Sequence, residues 1–342
     1  MPLLHRLYPL VRPALFQLDA ETAHEWTIKL LRAAHFYGWL PGPTRGAIAT
    51  AGPMTFDLAF PNALGLAAGM DKGARAIDAW HALGFGFVEV GTLTPRPQPG
   101  NPTPRLFRLI PQRAVINRMG FNNPGIHTAV GRIERRQGDG IVGINIGKNF
   151  DTPNERAVDD YLICLRAAQP VADYIAVNIS SPNTKGLRDL QAEEPVRRLL
   201  GTLMEENAKL TEQNGRRVPL LVKIAPDLDT EQIQALARVV SQLQLDGLIA
   251  TNTTLSRQGV EANPKSREAG GLSGAPLRER ATEVIRVFRE LLPASIPIIG
   301  VGGISSRAHA QEKQAAGAAL VQIYTGLVYQ GPSLVQEIVR FE

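Results

Sequence analysis

Residues 174–187 read YIAVNISSPNTKGL. Ile175, Ala176, Val177 and Ile179 form an apolar, largely β-branched run, the pattern of a strand buried on both faces. Pro182 stops it, because proline cannot donate to a sheet ladder. Around that stop the chain delivers Asn178, Ser180, Ser181, Asn183 and Thr184. Polar groups crowded at the end of a buried strand are costly unless something uses them, so this stretch reads as the reaction centre.

Similar runs recur outward from it. They are Leu64–Gly69, Phe87–Thr92, Gly143–Lys148, Leu220–Pro226, Gly247–Thr254, Pro297–Gly303 and Leu320–Gly326. Amphipathic stretches separate them, among them Arg75–Leu83, Pro195–Leu210, Glu231–Leu243 and Arg278–Leu292. Strands alternating with helices imply a parallel sheet. Eight strands favour a closed (β/α)8 barrel over a doubly wound sheet, which usually has fewer strands and no polar residue at nearly every strand end. Two insertions follow strand C-termini. Thr94–Phe121 is proline-rich and predicts a small hairpin; Leu255–Pro276 contains GGLSG and reads as a loop.

Residues 1–40 differ in pattern and predict a separate helical hairpin. Leu3, Leu4, Leu7, Leu10 and Val11 make one apolar stripe. Asp19 is placed to cap a second helix, in which Ala23, Trp26, Leu30, Leu31 and Ala34 share a face with His24 and Arg32 beside it. That hairpin either packs on the main domain or forms an amphipathic patch against a membrane or an apolar ligand. Residues 41–53, PGPTRGAIATAGP, read as a linker.

The 342 residues are 44% apolar and 20% charged, ample for a full core. A net charge of +5 fits an anionic ligand, an anionic lipid or no special partner, while an aromatic content of 6% argues against nucleic-acid binding. The lone Cys164 excludes an internal disulfide and points to a reducing compartment; within YLICLRAA it reads as a packed thiol. No segment approaches the roughly 20 apolar residues of a membrane span, and the N-terminus is not a convincing signal peptide.

The strand ends supply Lys72, Thr92, Asn145, Asn178, Lys223, Thr251–Thr253, Gly302–Gly303 and Tyr324–Thr325. This set holds amides, hydroxyls and ammonium groups but no His pair or carboxylate cluster for a metal, and suits a flat, polar-edged organic cofactor. Gly302–Gly303 after the seventh strand, with Ser305 and Ser306 at a helix start and Tyr324–Gly326 alongside, stands where such barrels bind phosphate. The phosphate belongs to a substrate or to a flavin mononucleotide. Lys223, mid-strand in LLVKIAP, needs an electron-rich partner: a reduced flavin, or Glu89 within the barrel.

The motifs AAGMDKG (67–73), GTLTPRPQPGNPTPRLFR (91–108), INRMGFNN (116–123), GINIGKN (143–149), NISSPNTKGLR (178–188), KIAPDL (223–228), ATNTT (250–254), GGLSG (270–274), IIGVGGI (298–304) and VQIYTG (321–326) resemble the dihydroorotate dehydrogenase family over essentially the whole chain. FQLDAETAHEW (16–26) and a serine at position 181 resemble its class 2 branch, which is membrane-associated and reduces quinones. The soluble branch has a cysteine at that position.

The resemblance implies a (β/α)8 barrel over 54–342 that binds FMN and oxidises dihydroorotate to orotate in pyrimidine biosynthesis. It implies FMN contacts from Ala68, Gly69, Met70, Asp71, Lys72, Thr92, Asn145, Asn178, Lys223, Thr251, Gly274, Gly303, Tyr324 and Thr325. Dihydroorotate would meet Lys72, Asn117, Arg118, Met119, Gly120, Phe121, Asn178, Asn183, Asn252 and Thr253. Ser181 would be the base, with Thr184 and the Phe121 loop as its relay. Electrons would pass to a membrane quinone through a tunnel built by residues 1–40, with His24, Arg108 and Tyr324 at its inner end. The implied location is peripheral, at the cytoplasmic face of the cell membrane, with no metal and no nucleic-acid partner. Competing readings are a soluble FMN barrel using fumarate or NAD, a non-redox phosphate-binding lyase or isomerase, and a barrel whose residues 1–40 dock a protein partner.

Overall fold

The computed structural model describes residues 2–40 and 52–339, so all of the expected linker except Gly52 and Pro53 lies outside the described residues. The eight apolar runs form β1 (Leu64–Leu66), β2 (Phe87–Leu93), β3 (Ile141–Ile146), β4 (Tyr174–Asn178), β5 (Leu220–Ile224), β6 (Gly247–Ala250), β7 (Ile298–Val301) and β8 (Ala318–Ile323). They pair in parallel in chain order, and β8 returns to β1 with Val321 opposite Leu64. The sheet closes into a barrel and leaves no edge.

Closure explains why the runs are apolar throughout instead of alternating. One face of each strand fills the barrel and the other meets the surrounding helices, so every residue of β2, β4, β5 and β6 is buried. Two cores result. Inside, Phe87, Tyr174, Ala176, Leu221, Ile249, Ile299 and Leu320 pack together with Phe56 and Phe60. Phe56 lies in the Met54–Ala59 hairpin and Phe60 directly follows it, and the two rings plug the N-terminal end. Outside, Val88, Ile144, Ile175 and Val222 meet helix residues such as Leu200, Leu236 and Ile285. The expected helices appear at Ile77–Ala82, Glu193–Asn214, Thr230–Gln242 and Arg278–Leu291. Cys164 is fully buried among apolar side chains, and burial holds its thiol well above the usual range.

The first insertion forms the expected hairpin, Leu106–Leu109 against Ala114–Asn117. The second departs from expectation. Gly271–Gly274 is not loop but a third strand, paired antiparallel with Ala114–Asn117. Glycine weakens a strand, and so the run reads as a loop. Here close approach requires it: a Cβ at Gly271 would lie 1.9 Å from Thr253 Oγ1, and one at Gly274 2.3 Å from the Arg113 carbonyl. The two insertions thus make one small sheet beside the barrel mouth.

Ahead of the barrel, α1 (Pro2–Gln17) and α2 (Ala20–Phe36) form the extension. The Asp19 carboxylate accepts from the Glu21 and Thr22 amides at 3.0 Å and caps α2 as expected. Tyr8 donates to the Val328 carbonyl and Arg12 to that of Tyr329, which anchors α1 on the last barrel helices. Trp26 departs from its expected face. It is 51% exposed and lies under the Lys29 ammonium, lining a cleft with Glu21, Glu25 and Thr103 away from Leu31 and Ala34.

Candidate active site

β4 ends at Asn178, whose side chain joins a cluster of polar groups at the barrel mouth. Asn178 Nδ2 donates to Thr92 Oγ1 at 2.8 Å and to Asn145 Oδ1 at 3.2 Å, while Asn178 Oδ1 accepts from the Ser180 amide at 3.2 Å. Thr92 donates to Asn145 Oδ1, and Asn145 Nδ2 donates to Glu89 Oε1 at 2.8 Å. Glu89, fully buried, also accepts from Tyr174 Oη at 3.0 Å and Gln322 Nε2 at 2.7 Å, with the Lys223 ammonium 3.5 Å away. A carboxylate removed from water is tolerable only when its lone pairs are filled in this way. Both readings of Lys223 have a basis: it pairs with Glu89, and it also lines the cavity above.

That cavity is one open pocket at the C-terminal ends of the strands, where barrel enzymes hold their sites. Its wall contains Ala68, Gly69, Lys72, Thr92, Asn117, Met119, Gly120, Phe121, Asn178, Ser181, Asn183, Lys223, Thr251, Asn252, Thr253, Gly274, Gly303, Tyr324 and Thr325. At the substrate end Asn183 Nδ2 donates to Asn117 Oδ1 at 3.0 Å, and Asn252 Nδ2 donates to Ser180 Oγ at 3.0 Å. Thr253 Oγ1 and Thr184 Oγ1 are buried without a partner among the described residues. Ser181 Oγ accepts from the Asn183 amide at 3.2 Å. Lys72 has no ion pair among the described residues, and burial pushes its ammonium down to about 8. A desolvated cation facing a cavity favours an anionic occupant.

At the opposite end Gly303 has φ +73°, and a Cβ there would sit 2.4 Å from Arg278 Cβ. Only glycine allows β7 to turn here with the backbone lining the pocket. Helix Thr325–Gln330 starts beside it, and Thr325 Oγ1 lies 2.8 Å from Ser273 Oγ.

A second cavity lies between the extension and the barrel. It is lined by Phe16, Ala23, Ile28, Leu31, Val115 and Leu327, with His24 and Arg108 among them. Burial, reinforced by the Lys72 charge, pushes His24 down to about 3, so the imidazole is neutral. Arg108 donates to the Leu15 and Leu18 carbonyls and lies 4.7 Å over the Phe16 ring. Tyr324 lines both cavities and stands as the wall between them. Burial pushes its phenol up to about 12, so it stays neutral.

The family model described as dihydroorotate dehydrogenase matches residues 53–341. The chain belongs to the dihydroorotate dehydrogenase family. Among the relatives of this dihydroorotate dehydrogenase-family chain is a dihydroorotate dehydrogenase (quinone) of Akkermansia muciniphila, 58% identical over 98% of this chain and 96% of that protein. Another, of Stenotrophomonas maltophilia, bears the same name and is 56% identical over 98% and 95%. A crystal structure of the Eimeria tenella enzyme in complex with ferulenol superposes with a TM-score of 0.86, at 37% identity over 96% of this chain and 92% of that one.

Four residues expected from the dihydroorotate dehydrogenase resemblance do not line the mouth. Met70 faces the apolar cavity instead. The Asp71 carboxylate accepts from the Arg75 and Ala76 amides at 2.7 Å and orders the turn after β1. Asn145 lies behind Thr92, one bond removed from the pocket. Arg118 turns outward, donating to Glu268 at 2.6 Å and stacking 4.6 Å over Phe107, because alternate residues of an extended chain face opposite ways. Ser305 and Ser306 also serve locally: Ser306 Oγ accepts from the His309 amide and Ser305 Oγ bonds His309 Nδ1. Sequence reading missed Gln322, Ile323, Ser273, Leu277 and Ile304 in the wall. Gln322 carries a signal, a polar residue in the apolar run of β8; the others carry none.

Proposed function

We propose that the chain oxidises dihydroorotate to orotate with FMN in the barrel mouth and passes the electrons to a quinone in the apolar cavity. The observation that carries this reading is Tyr324, one side chain shared by a polar pocket and an apolar one. A reaction coupling a charged, water-soluble donor to a lipid-soluble acceptor needs two such chambers in contact.

The residues fit FMN. The mouth offers a glycine-lined end for a phosphate at Gly274, Gly303 and Tyr324–Thr325, with Lys223 and Thr92 for the polar ring edge. Ala68, Gly69, Thr251 and Asn178 complete that side. No group of His, Cys, Asp and Glu among the described residues is arranged to hold a metal. When bound, FMN supplies acceptance of the C6 hydride and onward delivery of electrons.

The chain's own groups do the rest. Asn117, Asn178, Asn183 and Asn252 present paired donors and acceptors to the cyclic imide, and Thr253 brings an unpartnered hydroxyl. Lys72 holds the substrate carboxylate. Met119–Phe121 covers the ring and excludes water. Ser181 removes the C5 proton; with no His or carboxylate bonded to it among the described residues, the proton passes to a relay that the Thr184 hydroxyl completes. In the second chamber neutral His24 and the Arg108 guanidinium address the quinone oxygens.

Residues 1–40 then serve as the membrane-contact and quinone element, and 54–342 as the FMN-binding barrel. No described helix is long and apolar enough to cross a membrane. Exposed Leu10, Val11, Leu30, Phe36, Tyr37 and Trp39 give the extension an apolar surface for peripheral contact at the cytoplasmic face. The deciding experiment is the visible spectrum of the purified protein before and after anaerobic dihydroorotate. The flavin band is expected and should bleach; colourless protein, or a band indifferent to dihydroorotate, overturns the reading.

A further inference from the structure

Glu21, on the first turn of α2, grips an arginine that belongs to the barrel's first insertion. Its carboxylate accepts from Arg105 Nη2 at 2.6 Å and from Nε at 2.9 Å, and both side chains are largely buried, 11% exposed for Arg105 and 20% for Glu21. The remaining donor, Arg105 Nη1, reaches the carbonyls of Pro99 at 2.6 Å and Asn101 at 2.8 Å. Asn101 in turn donates through Nδ2 to the carbonyls of Arg118 at 2.9 Å and Asn183 at 3.2 Å, and its amide donates to the Met119 carbonyl at 3.0 Å.

This is a continuous chain of bonds from the extension to the loop that carries Ser181. Asn183, at its far end, sends its own amide N–H to Ser181 Oγ and its side chain to Asn117. The packing leaves no slack. At Gly120, φ +71°, a Cβ would fall 2.8 Å from Asn101 Cγ, and at Gly100, φ +78°, one would fall 2.2 Å from the Met119 carbonyl. The Asn101 amide therefore backs the wall whose front faces the pocket, while neither Arg105 nor Asn101 lines that pocket itself.

We infer that Arg105 and Asn101 are positioning residues that tie the N-terminal extension to the dihydroorotate-binding loop, so that the extension sets substrate oxidation as well as quinone reduction. The inference rests on the function proposed above. A buried, bidentate ion pair loses its worth when one partner goes, because the other is left charged and unpaired. Loosening it would free the 99–101 turn and with it the Met119–Gly120 wall and the Asn183 carbonyl.

A second consequence is electrostatic. Lys72 shares a cleft with His24 and Glu25 from α2, Arg105 from the insertion, Arg75 from its own loop and Arg132 from the helix Ile126–Glu134, and the Glu21 carboxylate bonded to Arg105 acts on it from behind. Burial lowers its pKa; Glu21 and Glu25 raise it, and Arg105 and Arg75 lower it. Removing the Glu21 charge therefore lowers it further. An ammonium needed for a carboxylate substrate is then lost at a lower pH.

The test uses the full-length, flavin-loaded protein with Arg105→Ala, Arg105→Lys, Asn101→Ala and the isosteric Glu21→Gln. Flavin absorbance per protein, anaerobic flavin reduction by dihydroorotate and the KM for a short-chain ubiquinone are read for each. Arg105→Ala and Asn101→Ala should weaken dihydroorotate binding about tenfold, the scale of a hydrogen bond to a charged group. Flavin content and quinone KM should hold, and Arg105→Lys should recover part of the loss. In Glu21→Gln the alkaline fall in dihydroorotate affinity should move to lower pH. Wild-type affinity in Asn101→Ala, or an unmoved pH profile in Glu21→Gln, overturns the inference. Failure of dihydroorotate to reduce the wild-type flavin overturns the function itself instead.

Discussion

Ser181 and Lys72 set opposite pH demands on the same pocket. A serine acts as base only as its proton is drawn off, so the flavin-reduction rate at saturating dihydroorotate should climb with pH. Lys72, pushed down to about 8 by burial, loses its charge as pH rises through that value, so affinity for the carboxylate substrate should fall above about 8. Rapid-mixing measurements of rate and affinity from pH 6 to about 10, spanning the free-lysine range, separate the two; a flat rate profile argues against general-base control. Ser181→Ala should keep flavin and orotate binding while losing on the order of 10²–10⁴ in flavin-reduction rate, the usual span of a general base. Undiminished reduction sinks the assignment. The Asn178, Asn183 and Thr184 cluster was legible because buried polar groups need a reason. The exclusion of Arg118 was not, since only its cross-strand register turns the side chain toward Glu268 and Phe107.

Among elements, the extension does more than cover an apolar face. Glu25 binds Arg75 through two bonds of 2.7 and 2.9 Å, and Glu21 holds Arg105, so α2 clasps the loops on both sides of Lys72. Deleting residues 1–40 should abolish binding to phospholipid vesicles and ubiquinone turnover, spare flavin content, and weaken dihydroorotate binding. Vesicle flotation with steady-state assays tests this; normal ubiquinone reduction by the truncated protein refutes the tunnel. The amphipathic pattern predicted α2, and the Asp19 cap predicted its start. Its ion pairs were invisible, because Glu21 and Arg105 stand 84 positions apart and neither interrupts a pattern. GGLSG misled for a related reason: its strand exists only because the hairpin at 106–117 offers an edge at contact distance.

For the whole molecule, the barrel floor is an aromatic plug. Phe87 is fully buried, 5.2 Å from the Phe60 ring and 6.3 Å from that of Tyr174. Gly65 and Gly143 admit these rings, since a Cβ on Gly65 would meet Phe87 at 2.3 Å and one on Gly143 would meet Tyr174 at 2.0 Å. Phe87→Ala should lower unfolding stability by about 3–5 kcal/mol, a core phenylalanine's transfer and cavity cost. Equilibrium urea titration measures it, and a loss under about 1 kcal/mol would mean the floor collapses to fill the space.

The alternation of apolar runs with amphipathic helices by itself determined the eight-stranded barrel, and polar residues at the run ends determined which mouth carries the site. Those are local properties, set by the two-residue repeat of a strand and the desolvation cost of a buried polar group. Tertiary structure alone decided that Asn145 supports Thr92 from behind and that Asp71 orders a turn, and it added Tyr174 and Gln322 to the Glu89–Lys223 pair that the sequence offered as one alternative. It alone placed Asn101 behind the substrate wall, whereas Tyr324, which lines both cavities, was already expected at both from the family resemblance. The contacts that tertiary structure decided depend on which side chains barrel closure brings within bonding distance, and sequence separation carries no trace of that.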